Sequence, residues 1–344
     1  MRRPAIFRLA ALGLGVAFSA AGLSFASAPA PPSLPPISSH ELRLAELLGS
    51  GGLPRDRAMH ASMSHFHAQM GDAHGVIPGE LRQAAADAPR DRLVQWLWAN
   101  ADDVTAGCST DTPCADRAMA LARLEPHNAA AWLPALSTAS RGRDADRVDQ
   151  VLAHMAGASS YDELFVDSSE AWYAAEVLVP LSPSELAAMR ADGGMTANGE
   201  SLAVYAAIAR AAAFAMPSFQ PLVDACRVDR DPRAAARRAD CERIGRVLLG
   251  SGTMLSRRLG FSLLQRIGAA TPADAEAARR ARWVWTESMR VSPSMDTDAD
   301  ALRRYFSDLV ATRDEFQAME RRIVRGRGRV EPPIGWSVDK PGIQ

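Results

Sequence analysis

An all-α fold of stacked antiparallel helical hairpins, continuing into a C-terminal helical region, is what this 344-residue sequence predicts. Three observations carry the prediction. From about residue 38 onward, apolar residues recur three and four apart, the spacing of one helix face. Alanine and arginine dominate, and alternating β-branched runs are missing. A proline-led triplet also returns at a near-constant interval. Pro54-Arg55-Asp56, Pro89-Arg90-Asp91 and Pro126-His127-Asn128 lie 35 and 37 residues apart. Proline ends one helix, and a short polar side chain two residues later can cap the next. A period of this length is the signature of stacked helical hairpins.

The chain divides in order. Residues 1–28 read as a secretory signal peptide: Arg2, Arg3 and Arg8, an apolar run of about 17 residues from Leu9 to Phe25, then small residues. Pro29 disfavours cleavage after Ala28 and favours it after Ala26. The same run as an uncleaved membrane anchor is the alternative. Residues 29–37, "PAPPSLPPI", form a stiff extended spacer. The expected location is the periplasm or the exterior, with no membrane insertion beyond the leader. The formal net charge of −1 argues against nucleic-acid binding, and loss of the leader arginines makes the balance more acidic. Lys340 is the only lysine, so arginine is this chain's default cation and an arginine cluster carries less weight than usual.

Residues 38–160 hold the repeats. "ALARLEPHNAAAWLPAL", Ala120 to Leu136, resembles the junction between two tetratricopeptide (TPR) repeats. Leu124, Pro126 and Asn128 match the closing end of one repeat, and Trp132 matches the tryptophan early in the next. Val148, Leu152 and Met155 take the packing positions of that repeat's second helix. Ala139 departs from the pattern where an aromatic residue is usual, and Gly142 comes one place early for the hairpin turn. "AAADAPRDRLVQW", Ala84 to Trp96, is a fainter copy. The resemblance covers roughly residues 54–157. It implies a TPR-like α-solenoid with right-handed stacking and a concave groove that holds a protein or peptide; such arrays are scaffolds first. The candidate groove residues are Trp96, Trp98 and Trp132. Trp96 and Trp98 stand about 200° apart on a helix, so they cannot face the same neighbour. Either one packs while the other lines a groove, or both bury against hairpins on opposite sides.

The four cysteines are expected to form two local disulfides, Cys108 with Cys114 and Cys226 with Cys241, as an oxidising compartment allows. Loop-closure entropy gives them roughly 2.5 and 3 kcal/mol. Their spacings do not suit a zinc knuckle. In the C-terminal helical region, residues 161–326, helices are expected near 183–191, 199–215, 233–249, 253–267, 272–290 and 298–325. Ser182-Pro183-Ser184-Glu185 and Thr271-Pro272-Ala273-Asp274 read as capped helix starts, and Gly250 and Gly268 as stops. Residues 327–344 form an extended tail.

No HExxH zinc motif, GxSxG elbow or Walker lysine occurs in the sequence. Ser251 in "LGSGTM" is flanked by glycine but lacks the elbow spacing. Glu287 in "WTESM" resembles a transglycosylase acid in passing, without the glycine-rich motif that should follow.

Residues 59–74 hold four of the seven histidines. As a helix, this stretch places His60, Met63, His67 and Met70 on one face, and thioethers with imidazoles suit copper. Met59, Met63, Phe66 and Met70 make an overlapping stripe that reads as a buried seam. The helix would rise about 21 Å from His60 to His74, so no single ion can use the whole face. The expected function is therefore an exported, non-enzymatic helical-repeat protein that binds a protein or peptide in the bacterial envelope and needs no cofactor. A periplasmic copper-binding protein is the alternative. A cell-envelope hydrolase or lyase is the third reading.

Overall fold

The computed structural model describes residues 39–69, 79–101, 116–187, 199–214, 216–227, 231–291 and 299–337, with backbone alone for 65–69. The chain is all-α. No strand occurs among the described residues, and one isolated bridge joins Asn128 to Ser160.

The N-terminal helices are α1 (Ser39–Ser50), α2 (Pro54–Gln69), α3 (Glu80–Asp87), α4 (Arg92–Asn100) and α5 (Arg117–Leu124). A 3₁₀ turn, Ala129–Trp132, leads into α6 (Leu133–Arg141), and α7 (Ala145–Gly157) follows. They pack as successive pairs: α2 on α3, α4 on α5, α6 on α7, with each pair touching the next. The proline-led triplets stand at the openings of these pairs. Asp91 caps α4, its carboxylate accepting from the Leu93 and Val94 amides. Asn128 caps the 3₁₀ turn by accepting from Ala130 N. Asp56 is the exception, since α2 already begins at Pro54 and places it in the first turn.

Three triplet residues, Arg55, Asp91 and Asn128, also bond beyond their own helix pair. Arg55 donates to Asp91 at 2.8 Å. Asn128 accepts from Asp162 N and returns a bond to Asp162 O, at 2.9 and 2.8 Å. A residue chosen for its cap therefore also fixes the next stretch of chain.

The C-terminal helices are α8 (Phe165–Leu178), α9 (Gly199–Phe214), α10 (Gln220–Ala225), α11 (Arg238–Leu249) and α12 (Met254–Arg266). They continue as α13 (Pro272–Val291), α14 (Ala299–Thr312) and α15 (Glu315–Arg325). Both expected capping boxes form. Ser182 Oγ accepts from Glu185 N while Glu185 accepts from Ser182 N, and Thr271 and Asp274 repeat the exchange. Gly268 ends α12 in the left-handed region, φ +66°, where glycine has no Cβ penalty.

Three expectations need correction. Helices α8 and α10 lie outside the expected set, and α8 shows why. Its apolar and small residues surround the axis, because α1, α9 and α14 all pack on it, so no one-sided pattern marks it. The helix expected over 298–325 is two helices. Arg313 turns left-handed, φ +56°, and Asp314 caps α15 by accepting from Gln317 N. The helix expected from 233 begins at Arg238, after a turn that starts at Pro232.

Two large cores, each drawing on both halves of the chain, hold the molecule, with a small third cluster of Leu249, Phe261, Leu264 and Ala278 where α11, α12 and α13 meet. The first joins Leu44, Met59, Met63, Leu81 and Leu93 to Trp172, Val204, Leu309 and Ile323. The second joins Trp96, Leu121, Leu136 and Leu152 to Leu222, Ile244 and Leu248, around the Cys226–Cys241 disulfide. Helix α4 separates them: Leu93, Val94 and Leu97 face the first core, Trp96 and Ala99 the second. Helices α11 and α12 touch backbone to backbone. A Cβ added to Gly260 would stand 2.5 Å from both Gly245 O and Leu249 N.

Candidate functional site

On α2, Met59 and Met63 are buried in the first core. Methionine fills such gaps by its flexible thioether. The Met63 sulfur also accepts from Arg210 Nη1 at 3.8 Å. His60 Nδ1 bonds Glu80 at 2.9 Å, tying α2 to α3, and its Nε2 bonds Ser64 at 3.4 Å. Both imidazole nitrogens are thus engaged within the protein. The His67 side chain and Met70 lie outside the described residues. Among the described residues no group of three or more His, Cys, Asp or Glu is gathered as a metal site.

The three tryptophans do not share one surface. Trp96 is fully buried in the second core, and Trp98 is partly buried against the first. Their half-turn separation sends them to opposite sides of α4. Trp132 is 7% exposed, donates from its indole to Pro126 O and stacks on His154 with ring centroids 4.2 Å apart. Cys226 and Cys241 form a disulfide linking the end of α10 to α11. Cys108 and Cys114 lie outside the described residues.

Glu287 is buried and accepts from Nε and Nη2 of Arg290, each at 2.6 Å, and from Arg329 N at 3.1 Å. The Arg290 guanidinium keeps its carboxyl below the ordinary range. A general acid needs the opposite shift. Ser251 is buried.

Sequence reading missed three polar features. The first is an ionic knot between α1, α8 and α9. Glu176 is wholly buried and accepts from His40 at 2.8 Å and Arg210 at 2.7 Å. Arg210 also reaches Glu41 and lies 5.5 Å from the Trp172 ring centre. Burial pulls the Arg210 guanidinium down, but Glu41 and Glu176 outweigh it and hold the group above its usual range. The second feature grips the start of α12. Glu163 accepts from Thr253 Oγ1 and Ser256 Oγ, and Glu315 accepts from Met254 N at 2.8 Å. Burial pushes each of these carboxyls up to about 7. No single helix pattern could reveal either cluster, because each joins residues 90 or more positions apart.

The third feature is a cleft of about 240 Å³ between α12 and α13. Phe261, Ala278 and Ala281 supply its apolar lining. Arg257, Arg258 and Arg282, with Ser262 and Gln265, supply the polar part, and no acidic residue lines it. Arg257 is held from behind, 4.2 Å above the Phe316 ring centre and 3.7 Å from Asp314. Burial lowers its guanidinium below the usual arginine value. Arg258 and Arg282 are exposed. Along α13, Ala278, Arg282, Trp285 and Met289 follow at intervals of four, three and four, which places them on one face. Trp285 is 39% and Met289 41% exposed. No protein-family model, curated protein or solved structure matches this chain.

Proposed function

We propose that this chain is an exported, non-enzymatic scaffold of TPR-like helical hairpins that binds a protein or peptide in the bacterial envelope. The observation that carries the reading is the agreement between the proline-led period and the helix pairs α2/α3, α4/α5 and α6/α7. Asp91 and Asn128 cap two of those openings from the repeated position. Repeats of this kind bury one face against their neighbours and leave another for a partner.

The surviving exposed apolar groups fit a binding role. Tryptophan, methionine and arginine are the residue types enriched where proteins bind one another. Trp285 and Met289 stand beside Arg282 on one solvent-facing strip. The charged groups inside the fold are matched to structural partners: His60 to Glu80, Glu176 to His40 and Arg210, Glu287 to Arg290.

The reading is tested by photo-crosslinking in living cells, with a benzophenone amino acid placed at exposed positions 123, 153 and 285. The expected outcome is a discrete protein adduct from at least one position. Uniform absence of any protein adduct, in cells where the chain is exported and folded, contradicts it.

A further inference from the structure

We infer that the exposed surface where α14 meets the end of α15 docks on an anionic phospholipid surface, with Arg304, Arg321, Arg325 and Arg327 meeting lipid phosphates and Val324 resting at the headgroup boundary. The inference is independent of the polypeptide-binding reading. A bilayer would hold the chain while its helix pairs meet a partner, and either reading can fail alone.

Charge is the first argument. Arginine is common throughout this chain, so number alone carries nothing; the local balance does. Elsewhere arginines meet carboxylates of their own, as at Arg43–Glu185, Arg237–Asp149 and Arg313–Asp167. On this surface two arginines share one acid. Asp308 accepts from Arg325 and stands 3.5 Å from Arg321. Arg304 lies one turn before Asp308 on the same face of α14, and Arg327 follows Arg325 by two residues. The neighbouring acids are engaged from other sides: Asp300 by Arg303, Glu320 and Glu331 by Arg280, and Glu287 by Arg290. Four cations thus stand with one described carboxylate among them.

The apolar component points to lipid. Val324 is 63% exposed and stands one turn after Arg321 and beside Arg325. A nucleic-acid backbone offers an exposed valine nothing, whereas the boundary between headgroups and acyl chains takes guanidinium and aliphatic groups together. A guanidinium binds a phosphate by two parallel hydrogen bonds. A bilayer presents many such phosphates at free spacing, so it needs no cleft. Helix-end electrostatics accounts for only part of the set. Arg325 lies in the last turn of α15, where a cation meets the carbonyl end of the helix. Arg304 stands within α14, away from a helix C-terminus, and the dipole does not explain it.

The frame beneath these side chains is fixed. The amides of Gly326, Arg327 and Gly328 return to Arg322 O, Val324 O and Ile323 O at 3.0, 3.1 and 2.9 Å. Arg329 then donates its N–H to Glu287 at 3.1 Å, while its carbonyl accepts from Trp283 Nε1 at 2.7 Å. The turn that carries Arg327 is bonded on both sides, and α15 packs along both α13 and α14. Binding therefore orders side chains alone, which lowers its cost.

The test is co-sedimentation of the oxidised protein, as recovered from its own cells, with vesicles at low salt. One set holds phosphatidylcholine and phosphatidylglycerol in equal parts, the other phosphatidylcholine alone. Preferential binding to the anionic vesicles is expected, and its loss in about 0.5 M salt, where the charges are screened. Any contribution of the apolar run from Leu9 to Phe25 is common to every variant. Arg304→Gln combined with Arg327→Asn should weaken binding by about fivefold for each arginine removed. Asparagine tolerates the left-handed backbone of Arg327, φ +57°. Val324→Ser keeps every charge and should weaken binding as well. Arg82→Gln combined with Arg123→Gln, an equal charge loss on α3 and α5, should leave it unchanged. All five positions are exposed, and unchanged thermal melts show that the variants fold. Equal binding to the two vesicles, parent-like binding by the Arg304/Arg327 pair, or an equal loss in the Arg82/Arg123 pair overturns the surface. Parent-like binding by Val324→Ser overturns the lipid assignment. So does displacement from the vesicles by inorganic phosphate at constant ionic strength, in favour of a free oxyanion, or equally tight binding of a DNA duplex, in favour of nucleic acid.

Discussion

Glu163 and Glu315 show at the residue scale how position sets chemistry. Glu163 is buried and Glu315 partly buried against the start of α12, and loss of water around each carboxyl keeps it neutral to about pH 7. In the unfolded chain they ionise near pH 4.5. Below that pH both states hold the proton and the two residues cost nothing. Between about 4.5 and 7 the unfolded chain releases protons that the folded chain keeps, so stability falls as pH rises. Above 7 the loss is complete, at roughly 3 kcal/mol for each group. Glu163→Gln removes one of these losses while keeping an oxygen for Thr253 and Ser256. Chemical denaturation at pH 5 and pH 8 should show a smaller drop in stability for this variant than for the parent chain. An equal drop refutes the assignment. Glu176 makes the opposite case: it is paired twice, by His40 and Arg210. Glu176→Ala leaves Arg210 buried with Glu41 as its remaining described carboxylate, and should cost about 3–5 kcal/mol, measured by urea denaturation. None of these pairings was legible in the sequence. Glu176 sits in a helix with no one-sided pattern, and its partners are 136 and 34 residues away.

At the scale of elements, local signals were readable wherever the chemistry was local. The Ser182–Glu185 and Thr271–Asp274 boxes close within four residues, so the sequence contains all their parts. Asp91 and Asn128 were legible for the same reason. Asn128 does more than its cap, because it also holds Asp162 through two bonds. Asn128→Ala should therefore cost about 2–4 kcal/mol, against about 1 kcal/mol for Asp91→Ala, with both read from denaturation midpoints. The break at Arg313 was not read, although Asp314 and Gln317 stand in the right positions for a cap. The strong amphipathic pattern on both sides of it hid the interruption. The seam where α11 meets α12 rests on two glycines whose role needs the neighbouring helix to be seen. Gly260→Ala pushes a methyl into the α11 backbone. Repacking of this kind typically costs about 1–3 kcal/mol, and the same change at solvent-facing Gly157 should cost little, as thermal melts will show.

For the whole molecule, the arrangement follows from where the apolar surface goes. The N-terminal hairpins do not complete a core by themselves. Leu44, Met63 and Leu93 share one with Trp172, Val204 and Ile323, while Leu121 and Leu152 share another with Ile244 and Leu248. Helix α4 faces both cores, which couples them. A fragment ending at residue 160 should therefore lack a cooperative unfolding transition in circular dichroism, whereas the full chain should show one. The helical character was legible in sequence because its apolar spacing repeats from helix to helix. The closure of the chain's two halves was not, since contacts between distant helices leave no periodic mark. The α12–α13 cleft was hidden for a further reason: in a chain whose cations are almost all arginine, three more arginines carry no signal until two helices set them around one hollow. The central claim is that these helix pairs serve a polypeptide partner. Native mass spectrometry of the protein recovered from its own cells after gentle crosslinking tests it most directly. The account predicts the chain's mass plus that of a discrete polypeptide. The bare chain carrying only a copper ion, or a non-peptide small molecule, would contradict it.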